Sequence, residues 1–332
     1  MKVSVIVTVL NEGSALKRLL DSLAAQTRAP DEVVIVDGGS TDDTLSILQT
    51  AVQTGRLPLR VLVEPGANIS RGRNLAIAAA SGEVIASTDA GVWLSDSWLA
   101  ELIAPFESAD PPQVVSGVFV PDAHGAFEVA MAATVLPTLA EIRPASFLPS
   151  SRSVAFTRSA WRAVGGYPEW LDYCEDLVFD LRLRQRFAPF GFAPGAVAHF
   201  RPRGSLRSFF KQYYQYARGD GKADLWRLRH LIRYLTYLVA LPGLVALGWL
   251  VSPWWWLVLA GLAWFGHLRV PYRRLWPWLR QLTWRERCLA MLWVPVIRVT
   301  GDVAKMLGYP VGWAWRLRHL SRQPALRWRE LV

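Results

Sequence analysis

Alternating β and α segments over the first hundred residues predict a doubly wound, mostly parallel α/β sheet, and a long apolar carboxyl-terminal third predicts a membrane-associated helical region after it. The sheet expectation rests on short β-branched runs and on carboxylates at the ends of two of them: Asp37 in VVIVDGGSTDD and Asp89 in EVIASTDAG. Carboxylates at the exits of parallel strands are where an open α/β sheet handles a nucleotide and its metal. A third acidic site, Glu175 with Asp176, lies far downstream. The expected class is an enzyme.

Each element has a local reason. Val3–Val9 is too short for a helix and is bounded by Asn11 and Gly13, which predicts a strand buried on both faces. Leu16, Leu19, Leu20 and Leu23 recur at helical spacing. Residues 32–36 form a second strand ending on Asp37; Gly38 and Gly39 turn the chain, and Ser40 with Asp43 reads as a capping box that opens a helix through Leu48. A third strand near residues 60–63, a helix over about 73–80 and a fourth strand Val84–Ser87 continue the alternation. The loops at Asn11, Asp37 and Asp89 mark the binding edge.

Composition narrows the partners. The chain has 332 residues, 52% of them apolar, enough for one large core or two medium ones. A net charge of +10 invites a nucleic-acid reading. The arginine excess, however, gathers after Arg182 around apolar stretches, which favours an anionic membrane surface and not nucleic acid. Cys174 and Cys288 are too few for a disulfide framework and suggest a reducing compartment. Residues 1–10 lack the apolar core and cleavage site of a signal peptide, so the amino-terminal domain is expected in the cytoplasm. The first strand leads into Asn11-Glu12-Gly13 and not into a glycine fingerprint, which disfavours a dinucleotide-dependent reductase.

The strings VSVIVTVLNEGSALKRLLDSLAAQT, VVIVDGGSTDDT, NISRGRNLAIAAASGEVIASTDAG and GGYPEWLDYCEDLVFDLRLR resemble, in order and separation, the motif series of the family 2 glycosyltransferases. Members of that family have the GT-A fold and invert the anomeric centre. The likeness covers residues 3–221 and implies a GT-A domain over 1–225, followed by a membrane-associated region over 226–332.

The resemblance assigns roles. Thr8, Asn11 and Glu12 would lie in the first nucleotide-facing loop, and Asp37 would contact the base or ribose of a nucleotide-diphosphate sugar through charge-assisted hydrogen bonds; a plain turn and a helix cap are the alternatives. Arg73 and Asn74 match the family's Arg-Asn pair, which would steady the donor loop or simply start a helix. Asp89 stands where the family carries Asp-x-Asp, so it would hold a divalent cation, Mg²⁺ or Mn²⁺, that bridges diphosphate oxygens. Here the second carboxylate is absent, the string being Asp89-Ala90-Gly91. His199 is a further candidate metal ligand or a structural histidine. Asp176 aligns with the catalytic base that takes the acceptor's proton, with Glu175 supporting it or touching the acceptor. Ser151, Arg152 and Ser153 would face the acceptor. Arg201, Arg203 and Arg218 would supply cations for the donor, Arg218 as a clamp on the leaving diphosphate.

The carboxyl-terminal third reads as lipid-facing. Residues 234–251 carry no charge over about 18 positions, close to the ~20 that cross a hydrocarbon core. Ser252-Pro253 turns the chain into a second, shorter stretch, closing a hairpin over about 234–268, with a buried hairpin in a soluble domain as the alternative. Arg227, Arg229 and Arg233 at one end and Arg269, Arg273 and Arg274 at the other place both ends in the cytoplasm. Residues 287–312 include Arg298, Asp302 and Lys305 and read as an amphipathic or re-entrant helix, with a basic, Trp-rich tail on anionic headgroups. The expected function is inverting sugar transfer at the cell membrane, from a cytoplasmic domain to a lipid-linked or membrane-proximal acceptor; a non-catalytic nucleotide-sugar-binding scaffold is the alternative.

Overall fold

A computed structural model describes residues 1–329. It divides into two compact units, one built from residues 1–122 and 139–201, the other from 123–138 and 202–326.

The first unit runs β1 (Val3–Val9), α1 (Ala15–Ala24), β2 (Glu32–Asp37), α2 (Thr44–Thr54), β3 (Leu59–Val63), α3 (Ile69–Ala79), β4 (Val84–Ser87), β5 (Val92–Leu94), α4 (Trp98–Ile103) and β6 (Val114–Pro121). After α5 (Gly125–Val135), which belongs to the second unit, come β7 (Val154–Thr157), α6 (Arg158–Ala163), α7 (Glu175–Phe187) and β8 (Gly191–Phe200). The eight strands form one mixed sheet in the order β3-β2-β1-β4-β7-β6-β8-β5. β1 pairs in parallel with β2 on one side and with β4 on the other. The chain order reverses there, so the loops after β1 and β4 flank the crevice where open α/β sheets bind ligands.

Both faces of this sheet are covered, as the unbroken apolar strands predict. Val3, Val5, Val7 and Val9 point into a core with Leu16, Leu19, Leu20 and Leu23 of α1 and Trp98, Leu99 and Leu102 of α4. Ile6 points the other way, to Ala76 and Ile77 of α3 and Phe179 and Leu183 of α7. Each such side chain contributes about 1.5–3 kcal/mol on burial.

Two local expectations change. Ser40 does not cap α2: its hydroxyl accepts from the Asn11 amide at 2.9 Å, and α2 begins only at Thr44. The side chain is drawn away from the helix end because the loop after β1 offers an unpaired N–H within reach. Helix α3 starts one turn earlier than residue 73, capped by Asn68, whose side chain accepts from the Arg71 amide at 2.9 Å.

The second unit is helical: α8 (Leu206–Ala223), α9 (Arg227–Leu235), α10 (Leu241–Leu250), α11 (Trp254–Ala263), α12 (Arg269–Leu279) and α13 (Trp284–His319). Glycines let α8 and α13 touch backbone to backbone. A Cβ on Gly308 would strike the Tyr214 carbonyl, one on Gly312 the Arg218 carbonyl, and one on Gly221 the Tyr309 carbonyl. That interlock binds α8 to the helical unit, so the unit boundary falls near residue 201 where the sequence suggested 225. Asp302 on α13 fixes α9 and the turn after it, accepting from Arg233 Nε at 2.8 Å and Tyr237 OH at 3.1 Å.

Among the described residues one helix, Arg227–Leu250, is long and apolar enough to cross a membrane, with 24 residues and a mean hydropathy of 1.6 over its most apolar 18-residue stretch. The second arm of the expected hairpin does not meet that measure. α13 presents Leu289, Leu292, Val296, Val299, Val303, Leu307 and Val311 as an exposed stripe at helical spacing, while Asp302 is buried on another face.

In the first unit, a Cβ on Gly117 of β6 would overlap Ser153 Oγ and lie 2.7 Å from the Ala196 carbonyl. Gly117→Ala is therefore expected to destabilise the protein by about 1–3 kcal/mol, measured by thermal melting. Adding Ser153→Ala should recover part of that loss; a Gly117→Ala variant that melts with wild type would contradict the packing.

Candidate active site

The strand-end loops do assemble. Asn11, early in the loop after β1, adopts a left-handed conformation (φ 55°), a region its short polar side chain tolerates. Its Oδ1 accepts from the Thr41 amide at 2.8 Å, and the Glu12 amide donates to Thr44 Oγ1 at 2.9 Å. These bonds tie the first loop to the one after β2. Thr8 was expected in that loop and instead lies within β1, its methyl packed where Gly72 lacks a side chain. Asp37 is fully buried: Oδ1 accepts from the Gly39 and Ser40 amides, both at 2.7 Å, while Oδ2 has no hydrogen-bond partner. One oxygen therefore shapes the turn, and the other is enclosed without a partner.

At the centre lies Arg73 of α3, 2% exposed. Nη2 donates to Asp89 Oδ1 at 2.8 Å and Nη1 to Glu175 Oε1 at 2.7 Å, and the guanidinium sits 5.2 Å from the ring centroid of Tyr167. A planar fork suits this task, since it holds two carboxylates in fixed directions. One side chain thus ties the end of β4 to the start of α7. The burial of Glu175, aided by the charge of Asp176, pushes its carboxyl up to about 7 against the pull of Arg73. Desolvation outweighs the ion pair here, the usual balance for a charge taken fully out of water.

Glu175 and Asp176 divide as their helical offset requires. Glu175 turns inward to Arg73, and Asp176 remains half-buried, with one oxygen accepting from the Leu177 amide at 2.8 Å. Cys174 precedes them in a left-handed conformation (φ 64°) and starts α7 abruptly, so both acids fall in the first turn, where the helix dipole favours negative charge.

Other expected site residues play different parts. Asn74 makes four hydrogen bonds to the 161–169 segment: Nδ2 to the Tyr167 carbonyl and Glu169 Oε1, and Oδ1 from Trp161 Nε1 and the Tyr167 amide. It positions that loop. Ser151 and Ser153 were expected to face an acceptor; both are buried, Ser151 against Tyr167 OH at 3.1 Å and Ser153 between Trp98 Nε1 and the Ala196 carbonyl, each at 2.8 Å. Arg152 alone of the three reaches solvent, with its Nε 3.6 Å from Asp89 Oδ2. Arg201 is exposed in the first unit, whereas Arg203 and Arg218 belong to the second.

The residues around Asp89 do not by themselves fit a resident divalent cation. Both its oxygens face guanidinium groups, at 2.8 Å from Arg73 and 3.6 Å from Arg152. Position 91 offers no carboxylate. His199 stacks on Trp93 at 3.7 Å, burial lowers its pKa, and the charges bearing on it are Asp122 and Arg18. No group of three or more His, Cys, Asp or Glu side chains that could hold a metal occurs among the described residues.

Two residues at this centre were not among the expected site residues. Tyr167 is 2% exposed and stacks on Phe179 at 4.0 Å beneath Arg73; the glycines before it, both at positive φ, were the available signal. Asp180 is one helical turn beyond Asp176, 2% exposed and without a hydrogen-bond partner for Oδ2. Burial, then the charge of Asp176, raise its pKa well above the usual range. The folded value exceeds the unfolded one, so the native state loses stability as pH rises from the unfolded value near ~3.9 toward the folded one. Asp180→Asn removes that cost. Its melting temperature relative to wild type should rise from mildly acidic to mildly alkaline buffer, and a difference independent of pH would contradict the assignment.

Residues 4–144 match the family model Glycosyl transferase family 2. Relatives include an uncharacterised glycosyltransferase from Nostoc, 30% identical over 42% of this chain and 44% of that protein. A validoxylamine A glucosyltransferase from Streptomyces hygroscopicus subsp. limoneus is 31% identical over 34% and 26% respectively. An O-antigen chain rhamnosyltransferase from Salmonella typhimurium is 24% identical over 64% and 71%. The matched region thus spans less than half of the first two relatives. In structure, the chain is similar to a mannosyltransferase from Pyrobaculum calidifontis solved with GDP-Man and Mn²⁺ (TM-score 0.56, 20% identity, 97% of this chain and 88% of that one). With these matches and the mixed sheet described above, residues 4–144 match a family 2 glycosyltransferase domain, set in a unit whose fold is of the GT-A type.

Proposed function

We propose that this protein is an inverting glycosyltransferase that moves a sugar from a nucleotide-diphosphate donor to a hydroxyl of a lipid-linked or membrane-proximal acceptor, in cell-envelope polysaccharide or glycolipid synthesis. The observation that carries the reading is the ion-paired bridge from Asp89 through Arg73 to Glu175, which holds the donor-side strand end and the start of α7 together. Asp176 follows Glu175 directly and remains accessible.

In this scheme the nucleotide lies over the loops of Asn11 and Asp37, the buried Asp37 carboxylate shaping the turn beneath it through the Gly39 and Ser40 amides. Asp176 takes the proton of the acceptor hydroxyl as its oxygen attacks the anomeric carbon from the face opposite the departing diphosphate, which gives inversion. Glu175 and Arg73 position Asp176 and do not themselves react. The Pyrobaculum mannosyltransferase was solved in complex with GDP-Man and Mn²⁺. In this chain Asp89 is the strand-end carboxylate that an expected Mg²⁺ or Mn²⁺ would approach, in competition with two guanidinium groups, and no step here runs through it.

The membrane setting is supported by helix Arg227–Leu250, by the exposed stripe on α13 and by the arginines around them. These features favour anchoring at the cell membrane with the catalytic domain in the cytoplasm. The Salmonella relative, named for an O-antigen chain, fits such an acceptor class.

Asp176→Asn tests the chemistry. Transfer should fall by about 10²-fold or more while donor affinity stays within about threefold, measured by product formation and by calorimetry. A wild-type protein that binds donor and turns nothing over would instead identify a scaffold.

A further inference from the structure

The family's second carboxylate position is Gly91 in this chain, and the space it leaves is open: a Cβ built there has Glu12 Oε2, at 4.0 Å, as its one neighbour. A nucleotide-diphosphate sugar would bring two negative charges to this crevice, where Asp89 and Glu12 already contribute carboxylates. Some positive group has to face them.

Arg73 cannot. It is buried, and each of its terminal nitrogens is committed to a carboxylate. Arg152 is placed differently. Its side chain is 25% exposed, and its Nε stands 3.6 Å from Asp89 Oδ2, inside ion-pair range but beyond a hydrogen bond. The guanidinium lies over the rings of Phe200 and Phe119, at 4.9 and 5.5 Å from their centroids, and Nη1 donates to Ser150 Oγ at 3.2 Å. The backbone beneath is pinned: Thr88 Oγ1 donates to the Arg152 carbonyl at 3.0 Å, and Ser151 and Ser153 are buried anchors on either side. A permanently charged, planar group is thus held in place beside the strand-end aspartate before any ligand arrives, and its geometry suits paired phosphate oxygens.

We propose that Arg152 binds the diphosphate of the donor and that this protein needs no divalent cation to do so, the fixed guanidinium standing in for the cation that Gly91 fails to help hold. The inference rests on the functional reading above. In the transfer step the bond from the anomeric carbon to the diphosphate oxygen breaks with its electron pair going to that oxygen. The acceptor oxygen forms the new bond, and its proton goes to Asp176. Arg152 stays protonated throughout and neutralises the charge that gathers on the leaving group.

The test uses the full chain in detergent, titrated by calorimetry and thermal shift with UDP-glucose, UDP-GlcNAc, GDP-mannose and dTDP-rhamnose, each with excess EDTA and with Mn²⁺. The donor that binds should do so equally under both conditions, within about twofold. Arg152→Met should weaken it by about tenfold or more, and Arg152→Lys by less, both melting close to wild type in the absence of donor. Gly91→Asp, which supplies the missing carboxylate, should make binding depend on Mn²⁺, a result that does not hinge on how Arg152 variants fold. Wild-type binding that requires Mn²⁺, or an Arg152→Met variant with unchanged affinity, overturns the inference and leaves the glycosyltransferase reading standing. No binding of any donor under either condition removes that reading and the inference with it.

Discussion

Everything at the crevice depends on one buried guanidinium. Arg73 is almost fully enclosed and bonded to Asp89 on one side and Glu175 on the other. Those carboxylates come from positions 89 and 175, so no local rule brings them together. A buried arginine must find partners or cost several kcal/mol, and the two acids supply them. Glu175, although paired, still carries a raised pKa. The cluster is held at the expense of desolvation, a compromise more often found where chemistry needs fixed charges than where only stability matters.

Around that bond the fold arranges a division of labour. The parallel half of the sheet delivers Asp37 at the end of β2 and Asp89 just after β4, on either side of β1. The loop before α7 is held by Asn74 and Tyr167, and a left-handed Cys174 starts the helix so that Asp176 follows the buried Glu175. Neighbouring helical positions diverge by about 100°, so fixing Glu175 inward aims Asp176 outward. The mutual position of the acids is a consequence of backbone geometry combined with a single ion pair.

Much of this was legible in the sequence, for identifiable reasons. β1, β2 and β4 are short β-branched runs with sharp polar ends, and their assignment needs only local rules. Asp37, Asp89 and the Glu175-Asp176 pair stood out because strand ends and helix starts are visible in the chain. What stayed hidden was contact at long range. Ser40 looked like a cap until the loop after β1 claimed its hydroxyl, and Ser151 and Ser153 looked like exposed donors until Tyr167 and Trp98 covered them. Burial decides whether a polar side chain meets a ligand or a neighbour, and a string of residues does not report burial at a loop. The helical unit followed the same pattern: apolar runs announced helices, while the glycine interlock that assigns α8 to α13 depends on residues some 90 positions apart.

On the proposed reading, Asp37, Asp89 and Asp176 serve one crevice at the carboxyl edge of the sheet. A structure of the full protein with an intact nucleotide-diphosphate sugar tests it most directly. The nucleotide should lie against the Asp37 loop, the diphosphate beside Asp89, and the anomeric carbon facing Asp176 across room for one acceptor hydroxyl. A donor bound elsewhere, or one whose anomeric carbon is walled off from Asp176, would contradict it.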